Sequence, residues 1–179
     1  RADSYGFMNG RVQDVRIYKG VAKYTSNFLP GSTDPVIKRS SPSGAVVPTA
    51  LELPSNVLGY GAAAFDGEGD YITIANSTDY QFGTGDFTVE MWVCPTKLQS
   101  NRCFFDTRTG VGGGPVDGFS IVTDGDGQVS TYCGGYLIQS GSVTLDDFRW
   151  SHIAVVVNSG TMTLYINGTS VGTNTDGDN

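Results

Sequence analysis

Glutamate and lysine are scarce in this chain. Only three glutamates (Glu52, Glu68, Glu90) and four lysines (Lys19, Lys23, Lys38, Lys97) occur among its 179 residues. Strong helix formers are therefore few, which excludes a mainly helical fold. Histidine occurs once, as His152, and there is no Cys-x-x-Cys pair, so a zinc centre lacks its ligand set. The three cysteines, Cys94, Cys103 and Cys133, cannot all pair within one chain. Free thiols are the expected state, with a Cys94–Cys103 bridge across a hairpin as the alternative. No run approaches eighteen apolar residues, so no membrane-spanning helix and no membrane insertion are expected. No signal peptide is read at the start, and with Arg1 in place of Met a natural start upstream is an expectation only.

Positive charge is also short. Eleven Lys and Arg face eighteen Asp and Glu, for a net charge of −7. A nonspecific nucleic-acid partner needs a basic footprint and is excluded. The balance is uneven along the chain. Residues 1–40 hold seven Lys/Arg and three Asp, hence +4; the remainder holds four Lys/Arg and fifteen Asp/Glu, hence −11. Solvated strand faces account for such a split. Opposite signs also attract, within one chain or between copies.

Glycine is plentiful, at 25 residues, about twice ordinary usage. Thr, Ser, Val and Tyr accompany it, a combination of strand and turn formers. Residues 86–94 alternate strictly: Phe87, Val89, Met91 and Val93 on one face, Thr88, Glu90, Trp92 and Cys94 on the other. Further strands are read at 103–107, 118–122, 128–132, 136–139, 150–157, 161–166 and 170–172. Asn167-Gly168 is a two-residue hairpin signal, and Asn158-Ser-Gly160 is a second turn. Near the front, Val15 and Ile17 alternate with polar neighbours, while Val12 breaks the parity and implies a β-bulge near Gln13. Tyr24 and Phe28 are read as anchors of a crossing segment at a core edge. Five of the seven prolines (Pro30, Pro35, Pro42, Pro48, Pro54) fall in a stretch that excludes helix and central strand. The organisation expected is a strand segment at 1–31, a docked Pro-rich connector at 32–61 and a main β block at 62–179. Many short antiparallel strands with Gly, Asn and Asp turns indicate an all-β sandwich or barrel.

Three stretches together resemble the laminin-G, concanavalin-A-like lectin superfamily. They are Phe65-Asp-Gly-x-Gly-Asp-Tyr71 with Gly85-Asp-Phe-Thr-Val-Glu-Met-Trp92; Trp150-Ser-His-Ile-Ala-Val155 with Leu164-Tyr-Ile-Asn-Gly168; and Gly10-Arg-Val-Gln-Asp-Val-Arg-Ile-Tyr-Lys-Gly20. The resemblance implies a two-sheet antiparallel jelly roll with binding loops at one edge. The family order puts the Val12–Tyr18 strand last, whereas here it comes first. The closing strand is therefore expected from the N-terminal segment, in cis or from a neighbouring copy. The stretch Lys19-Gly-Val-Ala-Lys-Tyr-Thr-Ser-Asn-Phe-Leu-Pro30 is similar to segments closing such repeats in virion and tail proteins of marine phages, often in tandem. That likeness implies a virion or extracellular surface location and other copies of the module as partners.

The residues offer little catalysis. Glycoside hydrolysis needs paired carboxylates facing one cleft. Glu90 is the lone strand glutamate, flanked at i±2 by Thr88 and Trp92. His152 reads as a structural histidine, with no nucleophilic triad around it. Calcium is the metal that suits the loop carboxylates, and Asp124 and Asp126 are the first-choice ligands. Turn geometry is the preferred reading of the same Asp-Gly-Asp run. A sugar-binding surface would use exposed aromatics, and Tyr132, Tyr136 and Trp92 are the candidates, with a host-surface glycan as partner. Core or inter-module packing is the preferred reading of the same aromatics. The expectation is a non-enzymatic adhesion and assembly module. Its rival is a structural filament or capsid-decoration subunit without a ligand.

Overall fold

The computed structural model describes residues 6–31, 61–75, 77–108, 118–123, 127–133 and 136–175. Eleven strands among them form two sheets. One sheet has five strands: β1 (Gly6–Phe7), β5 (Arg102–Asp106), β6 (Phe119–Thr123), β7 (Gln128–Cys133) and β8 (Tyr136–Thr144), adjacent in that order. The other has six, in the order β11 (Thr169–Asn174), β10 (Thr161–Ile166), β9 (Ser151–Asn158), β4 (Phe87–Pro95), β2 (Asn9–Lys19) and β3 (Ala63–Asp66). The expected two-sheet sandwich is what forms.

Period-two alternation builds its core. Phe87, Val89, Met91 and Val93 of β4 are all fully buried. They meet Ile153, Val155 and Val157 of β9, Met162, Leu164 and Ile166 of β10, and Phe119, Ile121, Val129 and Ile138 from the five-stranded sheet. Phe82 closes one end, stacked on Phe87 at 4.3 Å between ring centroids. Asn167 and Gly168 have φ of +50° and +79°, the type I′ geometry that the Asn-Gly pair favours.

β2 pairs antiparallel with β4 from Gly10↔Pro95 to Lys19↔Phe87. The first long strand of the chain is therefore an interior strand of the larger sheet, supplied in cis. The register shifts between Gln13 and Arg16, the bulge expected near Gln13. Asp14 turns to φ +56° there, and its carboxylate accepts two hydrogen bonds from Arg16, at 2.7 and 2.9 Å. Gly10 is required: a Cβ there would lie 2.5 Å from the Cys94 carbonyl oxygen.

One expectation needs correction. Residues 62–74, at the front of the expected β block, form a strand only over Ala63–Asp66. Tyr71, Ile72 and Ile74 lie outside any strand and are exposed. The edge of β5 near them is paired instead with β1, in parallel, and Phe7 reaches Tyr71 as a stacked ring at 6.2 Å. A strand exists only with a partner, and β-propensity alone supplies none. Cys94 and Cys103 are not bridged to each other, in line with the expectation, and they sit on β4 and β5 in different sheets. The proline-rich stretch falls almost wholly outside the described residues.

Candidate functional site

After β2 the chain crosses the outer face of the six-stranded sheet as a strap, residues 20–31. The sequence dictates this crossing. Ala154 and Val156 of β9 and Tyr165 of β10 project from the sheet opposite the core and would expose apolar surface. Ala22, Tyr24 and Phe28 cover them. Tyr24 and Phe28 stack face to face with centroids 3.4 Å apart, and Phe28 also meets Tyr165 and the edge of His152. Tyr24 and Phe28 thus anchor a second small core on the sheet face, where a core edge was expected. The far end of the strap is pinned to the β10–β11 turn: the Phe28 amide donates to the Gly168 carbonyl at 2.9 Å, and the Ser170 amide donates to Asn27 Oδ1 at 2.9 Å.

Glu90 lies beneath this strap and is buried. Its Oε1 accepts from Lys23 Nζ at 2.5 Å and from the Tyr18 hydroxyl at 3.3 Å, with Arg16 Nη1 at 3.8 Å. Its Oε2 accepts from the Tyr24 hydroxyl at 2.6 Å and faces His152 Nε2 at 3.4 Å. Its cross-strand neighbours are Arg16 and Ala154, so no second carboxylate faces it there. Burial pushes its pKa up, but hydrogen bonds from His152, Lys23 and Tyr24 and the charge of Lys23 outweigh it and hold the carboxyl at about 2. Burial lowers the Lys23 pKa, while bonds to Glu90, Tyr18 and Tyr24 raise it further, so the net shift is upward. Burial and the bond to Glu90 push the Tyr24 hydroxyl up. A carboxylate held ionised and engaged on both oxygens is poorly suited to general-acid work. It is well suited to fastening the strap to the sheet.

The outer face of the five-stranded sheet carries a different set. Asp106, Ser120 and Tyr132 stand side by side in register across β5, β6 and β7. Asp106 and Arg108 form a bidentate pair, at 2.8 and 2.9 Å, with side chains 10% and 7% exposed. Ser120 is fully buried, and its hydroxyl has no hydrogen-bond partner among the described residues. Tyr132 is half-buried.

The candidate aromatics are therefore separated. Tyr132 is on the outer face of one sheet and Trp92 on that of the other, where Trp92 packs edge-on against His152 at 5.2 Å. The backbone of Tyr136 pairs with Cys133 at the start of β8, while its side chain lies outside what is described. Asp124 and Asp126 lie outside the described residues, as do residues 109–117. Among the described residues, no group of three His, Cys, Asp or Glu side chains is arranged to hold a metal. The His152 amide donates to Asn167 Oδ1 at 2.9 Å and its Nε2 faces Glu90, while Nδ1 is buried with no hydrogen-bond partner among the described residues. Sequence reasoning missed the Glu90–Lys23–Tyr24 cluster. The available signal was a charged residue in the middle of a strand whose neighbour, β9, is apolar on both faces.

A model of the Laminin_G_3 family, described as the concanavalin A-like lectin/glucanases superfamily, matches residues 66–179. No curated protein and no solved structure matches.

Proposed function

The chain belongs to the concanavalin A-like lectin/glucanases superfamily, and from this membership we propose that it is a non-catalytic, carbohydrate-contacting module of a virion or extracellular surface. The superfamily spans binders and hydrolases, so the choice between them rests on this chain's own residues. Glu90 carries it. It is the one strand glutamate among the described residues and is committed to the strap, with Lys23 and Tyr24 on its oxygens and Arg16 and Ala154 beside it. A glycosidase needs two carboxylates about 5–10 Å apart across the scissile bond.

The proposed glycan contact is at Tyr132, on the sheet that also carries the Asp106–Arg108 pair, with Ser120 standing between Tyr132 and Asp106. Sugar rings stack on aromatic faces through their apolar C–H surface. Tyr136 is a further proposed contact residue. Adhesion and assembly with other copies of the module complete the reading. A glycan array with the whole chain is expected to give saturable hits that fall at least tenfold in Tyr132→Ala, with the melting temperature unchanged. An array without hits, together with polymers on sizing columns, would favour the rival structural subunit. Calcium at Asp124 and Asp126 is a separate proposal. It predicts a rise in melting temperature on adding calcium that disappears in Asp124→Asn; no rise would leave turn geometry as the role of that run.

A further inference from the structure

Residues 6–31 form an arm whose described contacts with the rest of the chain are made across space. β2 lies in a slot between β4 and β3, aligned from Gly10↔Pro95 to Lys19↔Phe87 on one side and from Asn9↔Asp66 to Val12↔Ala63 on the other. Apart from His152, the groups around Glu90 are the arm's Arg16, Tyr18, Lys23 and Tyr24. The strap ends on Gly168 and Ser170. We propose that this slot also accepts the arm of a second copy of the chain, so that copies assemble by exchanging residues 6–31.

Three observations support the exchange. Every bond named above is the same whether the arm comes from its own chain or from a neighbour, so exchange forfeits none of them. The arm and slot are joined through residues 32–60, a stretch that spans at most about 100 Å when fully extended, enough to reach an adjacent molecule. The charges also complement each other: residues 6–31 hold four Lys/Arg and one Asp, hence +3, and the rest of the chain carries −10. The whole-molecule charge of −7 opposes approach at long range, but salt screens it beyond about 8 Å at physiological ionic strength. A tethered arm competes with an effective concentration in the millimolar range. Exchange therefore wins where copies are held side by side, and in this respect it rests on the assembly reading above.

The register supplies the test. Arg11 lies directly opposite Cys94, and opposed residues on antiparallel strands fall within disulfide range. One population of full chain carries Arg11→Cys with Cys94→Ser; the other is unsubstituted. Neither population alone can link position 11 to position 94. The two are mixed, passed briefly through pH 3 to loosen the arm, returned to pH 7 and oxidised. Exchange predicts a covalent dimer, absent from either population alone, whose fraction rises severalfold with a tenfold rise in concentration. Peptide mapping should place the bond between positions 11 and 94. If the mixture yields only what each population yields alone, while both retain their circular dichroism, the proposal fails. Should the double variant not fold, light scattering on the unsubstituted chain decides: a dimer after the acid pulse supports exchange, and a monomer at every concentration overturns it. Tyr132 is no part of the slot, so a negative glycan array leaves this outcome intact, and a negative cross-link leaves glycan binding intact.

Discussion

Replacing Glu90 by Gln keeps its shape and removes the charge that Lys23, Arg16 and the Tyr24 hydroxyl face. Leaving one side of a buried ion pair uncompensated costs about 3 kcal/mol. Urea unfolding at pH 7 should therefore show a lower midpoint with an unchanged slope. The acid response is tied to the same group. The folded carboxyl sits at about 2, below its ordinary 4.5. Its contribution is fully present above pH 4.5 and is lost as pH falls through about 2. The shift corresponds to roughly 3 kcal/mol, and Glu90→Gln should show that much less acid loss between pH 4.5 and 2. The chemistry of this residue was half legible in the sequence. Strict alternation put Glu90 on the face away from Met91. Its partners come from residues 16–24 and from His152, each more than sixty positions away, and no local pattern joins them.

At the scale of elements, the strap depends on a glycine in another hairpin. Gly168 has φ +79°, and a Cβ there would come within 1.8 Å of the Phe28 carbonyl oxygen. Gly168→Ala should cost about 1–2 kcal/mol in the turn itself and should also displace the strap. Hydrogen exchange should then lose protection at the Phe28 and Lys23 amides while the β9–β10 amides keep theirs. Uniform loss along β9 and β10 would refute the local account. The strands were largely legible: 161–166 was read with the bounds of β10, and the other main-block readings overlap β4 to β9 and β11. The exception is instructive. Tyr71-Ile-Thr-Ile74 has as strong a strand pattern as β10 and forms none, because hydrogen-bonding partners are set by what lies alongside.

For the whole molecule, the two sheets divide the labour. One outer face is sealed by the strap over Glu90; the other carries Asp106, Arg108 and Tyr132. Trp92→Ala should consequently lower the melting temperature by removing the ring packed on His152, and should leave glycan binding intact. Parallel losses of binding in Trp92→Ala and Tyr132→Ala would argue for unfolding instead of a site. By itself the sequence determined the all-β class, the alternating core of β4, the Asn-Gly turn, the bulge after Gln13 and the family, because each is written in residues close together or in a recurring pattern. Only the tertiary structure decided that β2 lies between β4 and β3 in cis, that Lys23 and Tyr24 close over Glu90, and that Trp92 and Tyr132 face opposite ways. These are relations between distant segments. Burial and hydrogen-bond satisfaction select them once the sheets are in place, and neither acts on a stretch of chain read alone.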